Sequence, residues 1–334
     1  MFEHLFVTSN QASSTELLRP RKGVIIGAGQ VGLACAYSML IQGCFDELVL
    51  QDIAREKTEG EVMDMMHGIP FISPVSIRSG TVADVGADAD VVIITAGVAQ
   101  KPGESRLSLV ERNIEIFKHI IGDVARYCPN AILLVVSNPV DIMTYASWKL
   151  SGFERSRVLG SGTVLDTGRF RSLLAQKLNI DPHSIHAYII GEHGDSSLPV
   201  WSMANVAGMK LCDGISEAAP QSCDPELVNV FAQVKNAAYE IIQRKGYTSY
   251  GIGLAATDIV KAIVRNQRRI MTVSSMADES LGLPELYISL PTLVGREGAL
   301  GQINLSLNEL ETQQLHHSAQ VLQEIIHQLK LCDL

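Results

Sequence analysis

The sequence predicts a Rossmann-type, doubly wound α/β domain followed by an α+β domain, and three observations lead there. From Arg21 onward, short apolar runs alternate with longer helical patterns, the signature of a parallel sheet covered by helices. A glycine-rich stretch, GAGQVG, lies directly between the first such run and a helical pattern. Beyond about residue 157 the texture becomes mixed, with no composition-biased linker before it. A chain of 334 residues is long enough for two domains at about 100 to 200 residues each.

The predicted strands of the first half are 23–26, 48–50, 91–95 and 132–136, each apolar throughout, as strands buried on both faces should be. Helices are expected at 33–42 and 105–127; in the second, Leu109, Ile116, Ile120 and Val124 fall near helical spacing. The second half predicts a helix at 166–178, a strand at 185–190 and two long helices at 225–245 and 250–265. Strand-like runs at 270–274, 285–290 and 292–294 suggest an antiparallel sheet. A last helix should start at Ser306, where Ser306 and Glu309 fit a capping box, and run to about residue 329.

Composition narrows the partners. A net charge of −9 argues against a phosphate-backbone or anionic-membrane binder, which shows a basic surplus on one face. Residues 1–20 read as a tail without the cationic start and apolar run of a signal peptide, and no apolar stretch reaches the about 18 residues of a membrane span. A cytoplasmic protein is expected. The six cysteines show no CxxC pair and read as buried free thiols, and no metal site is predicted.

Gly27, Gly29 and Gly32 form a GxGxxG pattern, weak alone but strengthened by its place between a buried strand and a helix. Glycines there allow a tight turn and let a pyrophosphate approach the backbone at a helix N-terminus. Asp52 lies 20 residues beyond Gly32 at the end of the next strand, where a carboxylate accepts hydrogen bonds from the adenosine ribose. An acid at that point repels the extra phosphate of NADP, so NAD is the expected cofactor. The other reading of Asp52 is a strand-ending turn residue.

In GEHGDSS, His193 sits among glycines just past an apolar strand. Upstream, Asp166 and Arg169 are three apart on one helix face. Singly, these residues could be a loop histidine, a helix cap and a solvated charge. Together they supply a proton donor poised near neutral pH, a carboxylate to orient it, and a planar fork for a substrate carboxylate.

From about Arg21 to its end, the chain resembles the lactate/malate dehydrogenase family, through GAGQVG with Asp52, TAGVAQKPGESRLSLVERN, VVSNPVD, LDTGRFR, GEHGDSS and KGYTSYGIG. The resemblance implies an NAD-binding domain over 21–160, a catalytic domain over 161–334, and hydride transfer between NADH and a 2-oxo acid. It implies Asp166 and His193 as the proton relay. Arg106, carried on a lid of residues 97–106, would polarise the substrate carbonyl. Substrate would meet Gln100, Arg106, Asn138, Arg169 and Thr248. Beside the glycine motif and Asp52, the cofactor would meet Gln30, Val31, Thr95, Ala96, Gly97, Asn138, Ser161 and Ile252. Ser161 and Ile252 read equally well as packing residues.

Gln100 bears on substrate choice. Malate-type members carry arginine at the matching position to neutralise a second carboxylate, whereas Gln100 is neutral. Closing a dry site over a dianion without a counter-charge costs several kcal/mol, so pyruvate and L-lactate are favoured over oxaloacetate and malate. Arg171 is about 200° around the helix from Arg169 at roughly 100° per residue, hence facing away from the pocket. With His186 it matches the pair by which allosteric bacterial members of the family bind fructose 1,6-bisphosphate between subunits of a homotetramer. The alternatives are a malate or branched 2-hydroxyacid dehydrogenase, or a dehydrogenase fold without turnover.

Overall fold

The computed structural model describes residues 19–98, 106–212 and 225–334. The first half runs β1 (Lys22–Ile26), α1 (Gln30–Ile41), β2 (Glu47–Gln51), α2 (Arg55–His67), β3 (Ser76–Ser79), α3 (Val82–Val85), β4 (Val91–Ile94), α4 (Arg106–Tyr127), β5 (Ile132–Val135), α5 (Val140–Ser151) and β6 (Val158–Gly160). The six strands are parallel in the order β3-β2-β1-β4-β5-β6, so the Rossmann-type prediction is borne out. The apolar runs are continuous because both faces are covered. Val24, Val92 and Leu133 pack on one side with Phe117 of α4 and Tyr145 of α5. Ile25, Ile93 and Leu134 pack on the other with Met39 of α1.

The second half adds α6 (Val164–Leu178), β7 (Ile185–His186), β8 (Ile189–Ile190), β9 (Leu198–Pro199), β10 (Asn205–Val206), β11 (Met209–Lys210), α7 (Pro225–Lys245), α8 (Tyr250–Val264), β12 (Arg269–Met271), β13 (Ser274–Met276), β14 (Tyr287–Ser289), β15 (Thr292–Gly295), β16 (Gly298–Gln302) and α9 (Glu309–Gln328). The expected antiparallel sheet exists as β12-β15-β16. Not all the predicted strands belong to it. β13 pairs antiparallel with β6 through Ser274 and Gly160 and carries β14 with it, extending the Rossmann sheet to eight strands. Both run 270–274 and run 185–190 break because the chain passes from one sheet to another inside them: β7 pairs with β10, β8 with β9.

Two further expectations are corrected. The capping box of α9 lies two residues later than Ser306 and Glu309: Asn308 Oδ1 accepts the Glu311 N–H at 2.8 Å, and Glu311 Oε2 accepts the Asn308 N–H at 3.1 Å. The buried Glu311 carboxylate also accepts the Ser202 N–H and hydroxyl at 2.9 and 2.5 Å, which selects that frame. Cys212 is disulfide-bonded, so the reading of all six cysteines as free thiols fails there. Cys35, Cys44 and Cys128 are free and buried as expected, whereas Cys332 is free but exposed at the end of the chain.

Gly168 is an exposed residue inside α6, and a Cβ added to it would meet nothing within 4 Å. Glycine inside a helix costs roughly 0.5–1 kcal/mol relative to alanine. Gly168→Ala should therefore raise the thermal midpoint by about one degree without changing activity, as a scanning-calorimetry comparison would read. An unchanged or lower midpoint counts against this account of the helix.

Candidate active site

The site lies where the parallel strands end. The loop after β1 carries the glycine motif, and each glycine has a distinct job. Gly27 has φ +107°, a conformation disfavoured with a side chain, and a Cβ there would lie 2.5 Å from the Ala96 nitrogen. A Cβ on Gly32 would lie 1.8 Å from the Gly27 carbonyl oxygen, so α1 can pack against β1 only without one. Gly29, the N-cap of α1, has no neighbour within 4 Å of an added Cβ. Its backbone faces open space at a helix N-terminus, where the unpaired N–H groups suit a pyrophosphate. Gln30, exposed, and Val31, half-buried, begin the helix.

Asp52 follows β2 and holds this loop. Its Oδ2 accepts the Ala28 N–H at 2.7 Å and its Oδ1 the Ala54 N–H at 3.0 Å. The turn-residue reading and the ribose reading are thus compatible, since each oxygen retains a second lone pair. After β4, Thr95 Oγ1 donates to the Gly27 carbonyl at 2.7 Å. Ser137 Oγ donates to the Ala96 carbonyl at 2.6 Å, and the buried Asn113 accepts the Val98 N–H at 2.9 Å. These bonds tie Thr95, Ala96 and Gly97 into a wall facing the glycine loop. The donors, acid and open helix end together fit a dinucleotide.

In the second half, α6 opens with Asp166 in its first turn, and the chain returns after β8 as the His193 loop. His193 Nδ1 meets Asp166 Oδ2 at 2.6 Å, and Arg169 Nη1 donates to Asp166 Oδ1 at 2.9 Å. The side chains of His193, Asp166 and Arg169 keep 26%, 13% and 17% exposure, enough to be reached by a small molecule. Burial alone would lower the His193 pKa, but the charge and hydrogen bond of Asp166, with the charge of Asp141, outweigh it and raise the pKa above its ordinary value. For Asp166 burial opposes ionisation, and His193 and Arg169 overcome it, leaving the carboxyl below its usual range. The pair therefore favours an imidazolium beside a carboxylate.

Asn138 is exposed at the end of β5, and Ser161 is buried at the end of β6, its N–H donating to the Val135 carbonyl at 2.8 Å. Thr248 and Ile252 are half-buried where α7 gives way to α8. Gln100 lies outside the described residues, as does the tail 1–18, and Arg106 is described only as the first residue of α4. Arg171 points away from this cluster: its Nε donates to the Ala187 carbonyl at 3.0 Å and its guanidinium lies 5.2 Å from the Tyr188 ring centroid. The adjoining His186 is exposed on β7. Sequence reasoning missed Asp141, whose Oδ2 accepts the His193 backbone N–H at 2.7 Å. No local pattern marks it, because the groups it binds lie far along the chain.

The comparisons agree with this geometry. Residues 21–160 match the family model described as lactate/malate dehydrogenase, NAD binding domain, and residues 163–331 its alpha/beta C-terminal domain. An L-lactate dehydrogenase of Synechococcus sp. is 58% identical over 309 residues, covering 92% of this chain and 99% of that protein. One of Gloeobacter violaceus is 55% identical, covering 98% of each. The crystal structure of a lactate dehydrogenase from a Medee basin deep-sea metagenome library superposes with a TM-score of 0.88 at 43% identity, covering 94% of this chain and 100% of that one. On these matches the chain belongs to the lactate/malate dehydrogenase family and is an NAD-dependent dehydrogenase.

Proposed function

We propose that this enzyme is an L-lactate dehydrogenase, reducing pyruvate reversibly to L-lactate with His193 as proton donor. One observation carries the reading: the 2.6 Å contact between His193 and Asp166, with Arg169 held on the other oxygen of the same carboxylate. NADH, when bound, supplies the hydride. Asp166 fixes the ring through Nδ1, so Nε2 is the nitrogen left to hold the substrate oxygen and deliver the proton. Arg169 keeps the rest of its planar fork for the substrate carboxylate, and Asn138 and Thr248 border the same space. Gln100 and Arg106 take the roles of neutral specificity residue and carbonyl polariser, and Ser161 and Ile252 those of nicotinamide neighbours. The division at 21–160 and 161–334 follows as a cofactor half and a substrate half.

Arg171 with His186 would bind fructose 1,6-bisphosphate at a subunit interface, the imidazole adding its charge below neutral pH. Self-association has support elsewhere: Tyr37, Ile41, Phe71, Tyr250 and Leu254 are 55–88% exposed and line one groove beside α1 and α8, an apolar patch of the kind an interface covers. A homotetramer uses both surfaces. No helix among the described residues is long and apolar enough to cross a membrane.

The test is NADH oxidation with pyruvate, oxaloacetate and a branched 2-oxo acid, each with and without fructose 1,6-bisphosphate. Pyruvate should lead, with its KM lowered by the bisphosphate. Leadership by oxaloacetate refutes the substrate assignment, and full activation of an Arg171→Gln variant refutes the effector assignment.

A further inference from the structure

The carboxylate of Asp141, at the start of α5, is 2% exposed and takes no step in the proposed reaction. Enclosing a carboxylate is costly unless its lone pairs are satisfied and its charge is used. The lone pairs are satisfied: Oδ2 takes the backbone N–H of His193 at 2.7 Å, and Oδ1 takes the Ser274 hydroxyl of β13 at 2.6 Å, with the Ser289 hydroxyl of β14 at 3.4 Å. All three donors are neutral groups. An asparagine could serve them, its Oδ1 accepting the His193 N–H and its amide donating to the Ser274 oxygen, at lower desolvation cost. A carboxylate in that position is accounted for only by its charge.

The charge has one favourable recipient. His193 stabilises the ionised form of Asp141 and Glu192 opposes it, while burial, the dominant effect, pushes the carboxyl up to about 6. In return Asp141 favours the imidazolium of His193, alongside Asp166 and against Arg169 of α6.

We propose that Asp141 is a second carboxylate for His193, a positioning residue that grips the histidine backbone and holds the proton on its ring by charge. Two carboxylates then share the imidazolium: Asp166 at the ring and Asp141 through the main chain. Protonated His193 is the form that binds and reduces pyruvate, and Asp141 extends that form to higher pH. The inference rests on the proposed proton-donor role of His193.

The experiment is the pH profile of kcat/KM for pyruvate in the wild type and in Asp141→Asn. In the wild type the profile should be flat at low pH and fall about tenfold per unit above the His193 pKa. Asp141→Asn should move that falling limb down by about one pH unit, with NADH affinity and the thermal midpoint little changed. Its plateau at low pH should stay within a few-fold of the wild type. A limb that stays within about 0.2 units of the wild type overturns the proposal and leaves Asp141 a structural clamp. If the wild type has no such limb, the reading of His193 fails, independently of Asp141. If Asp141→Asn does not fold, Ser274→Ala tests the same point. It keeps the carboxylate but removes a donor that favours its charge, so the limb should move the same way by less; an unmoved limb overturns the proposal there too.

Discussion

Exchanging His193 for glutamine is expected to cut pyruvate turnover by roughly a thousandfold, within the 10²–10⁴ that a positioned acid or base contributes. Glutamine keeps a similar reach and can donate an amide hydrogen to Asp166, so the 2.6 Å contact has a neutral substitute and the fold has no reason to fail. What is lost is a transferable proton at pH 7. NADH binding should be unchanged, because the loop of Gly27 to Gly32 and Asp52 makes no use of the ring. The pH dependence should vanish as well. Because the His193 pKa is raised, pyruvate reduction in the wild type should run at full rate below that pKa and decline above it, while lactate oxidation should gain as the ring loses its proton. Steady-state rates across pH read both effects, and turnover within a few-fold of the wild type would overturn the assignment.

The second large effect is at Arg169. Arg169→Lys keeps the charge and can still reach Asp166, now 2.9 Å from Nη1, but a single ammonium replaces a planar fork. A two-pronged grip on the substrate carboxylate becomes a point contact. Loss of such a buried charge-assisted pair costs about 3 kcal/mol, or two orders of magnitude in kcat/KM. Most of it should appear as a higher KM for pyruvate, since the carboxylate is held equally before and during reaction. The raised pKa of His193 should persist because Asp166 remains ionised. A KM within about threefold of the wild type would mean that another group holds the carboxylate.

How much of this was legible in the sequence follows from the distance over which each feature is decided. The glycine motif is local: a Cβ on Gly32 collides with a carbonyl five residues back, and the pattern states that constraint directly. Asp166 with Arg169 is equally local, one helix turn apart. The capping box was ambiguous because two overlapping frames fit, and only the buried contact of Glu311 with Ser202, 109 residues away, chooses between them. Asp141 was invisible for the same reason in stronger form. Its partners His193, Ser274 and Ser289 lie 52, 133 and 148 residues away, and no short window contains two of them. The exchange of strands between the halves was likewise hidden, since β13 and β12 are too close in sequence to look like members of different sheets.

That exchange limits how the enzyme can move. Because β13 and β14 complete the sheet that begins with β1, the half bearing His193 is hydrogen-bonded into the half bearing the glycine loop. Opening them like a clam would tear backbone hydrogen bonds at the Ser274–Gly160 seam and pull Asp141 from Ser274 and Ser289. The cleft is a fixed jaw. The register between the glycine loop and His193 is set by a continuous sheet.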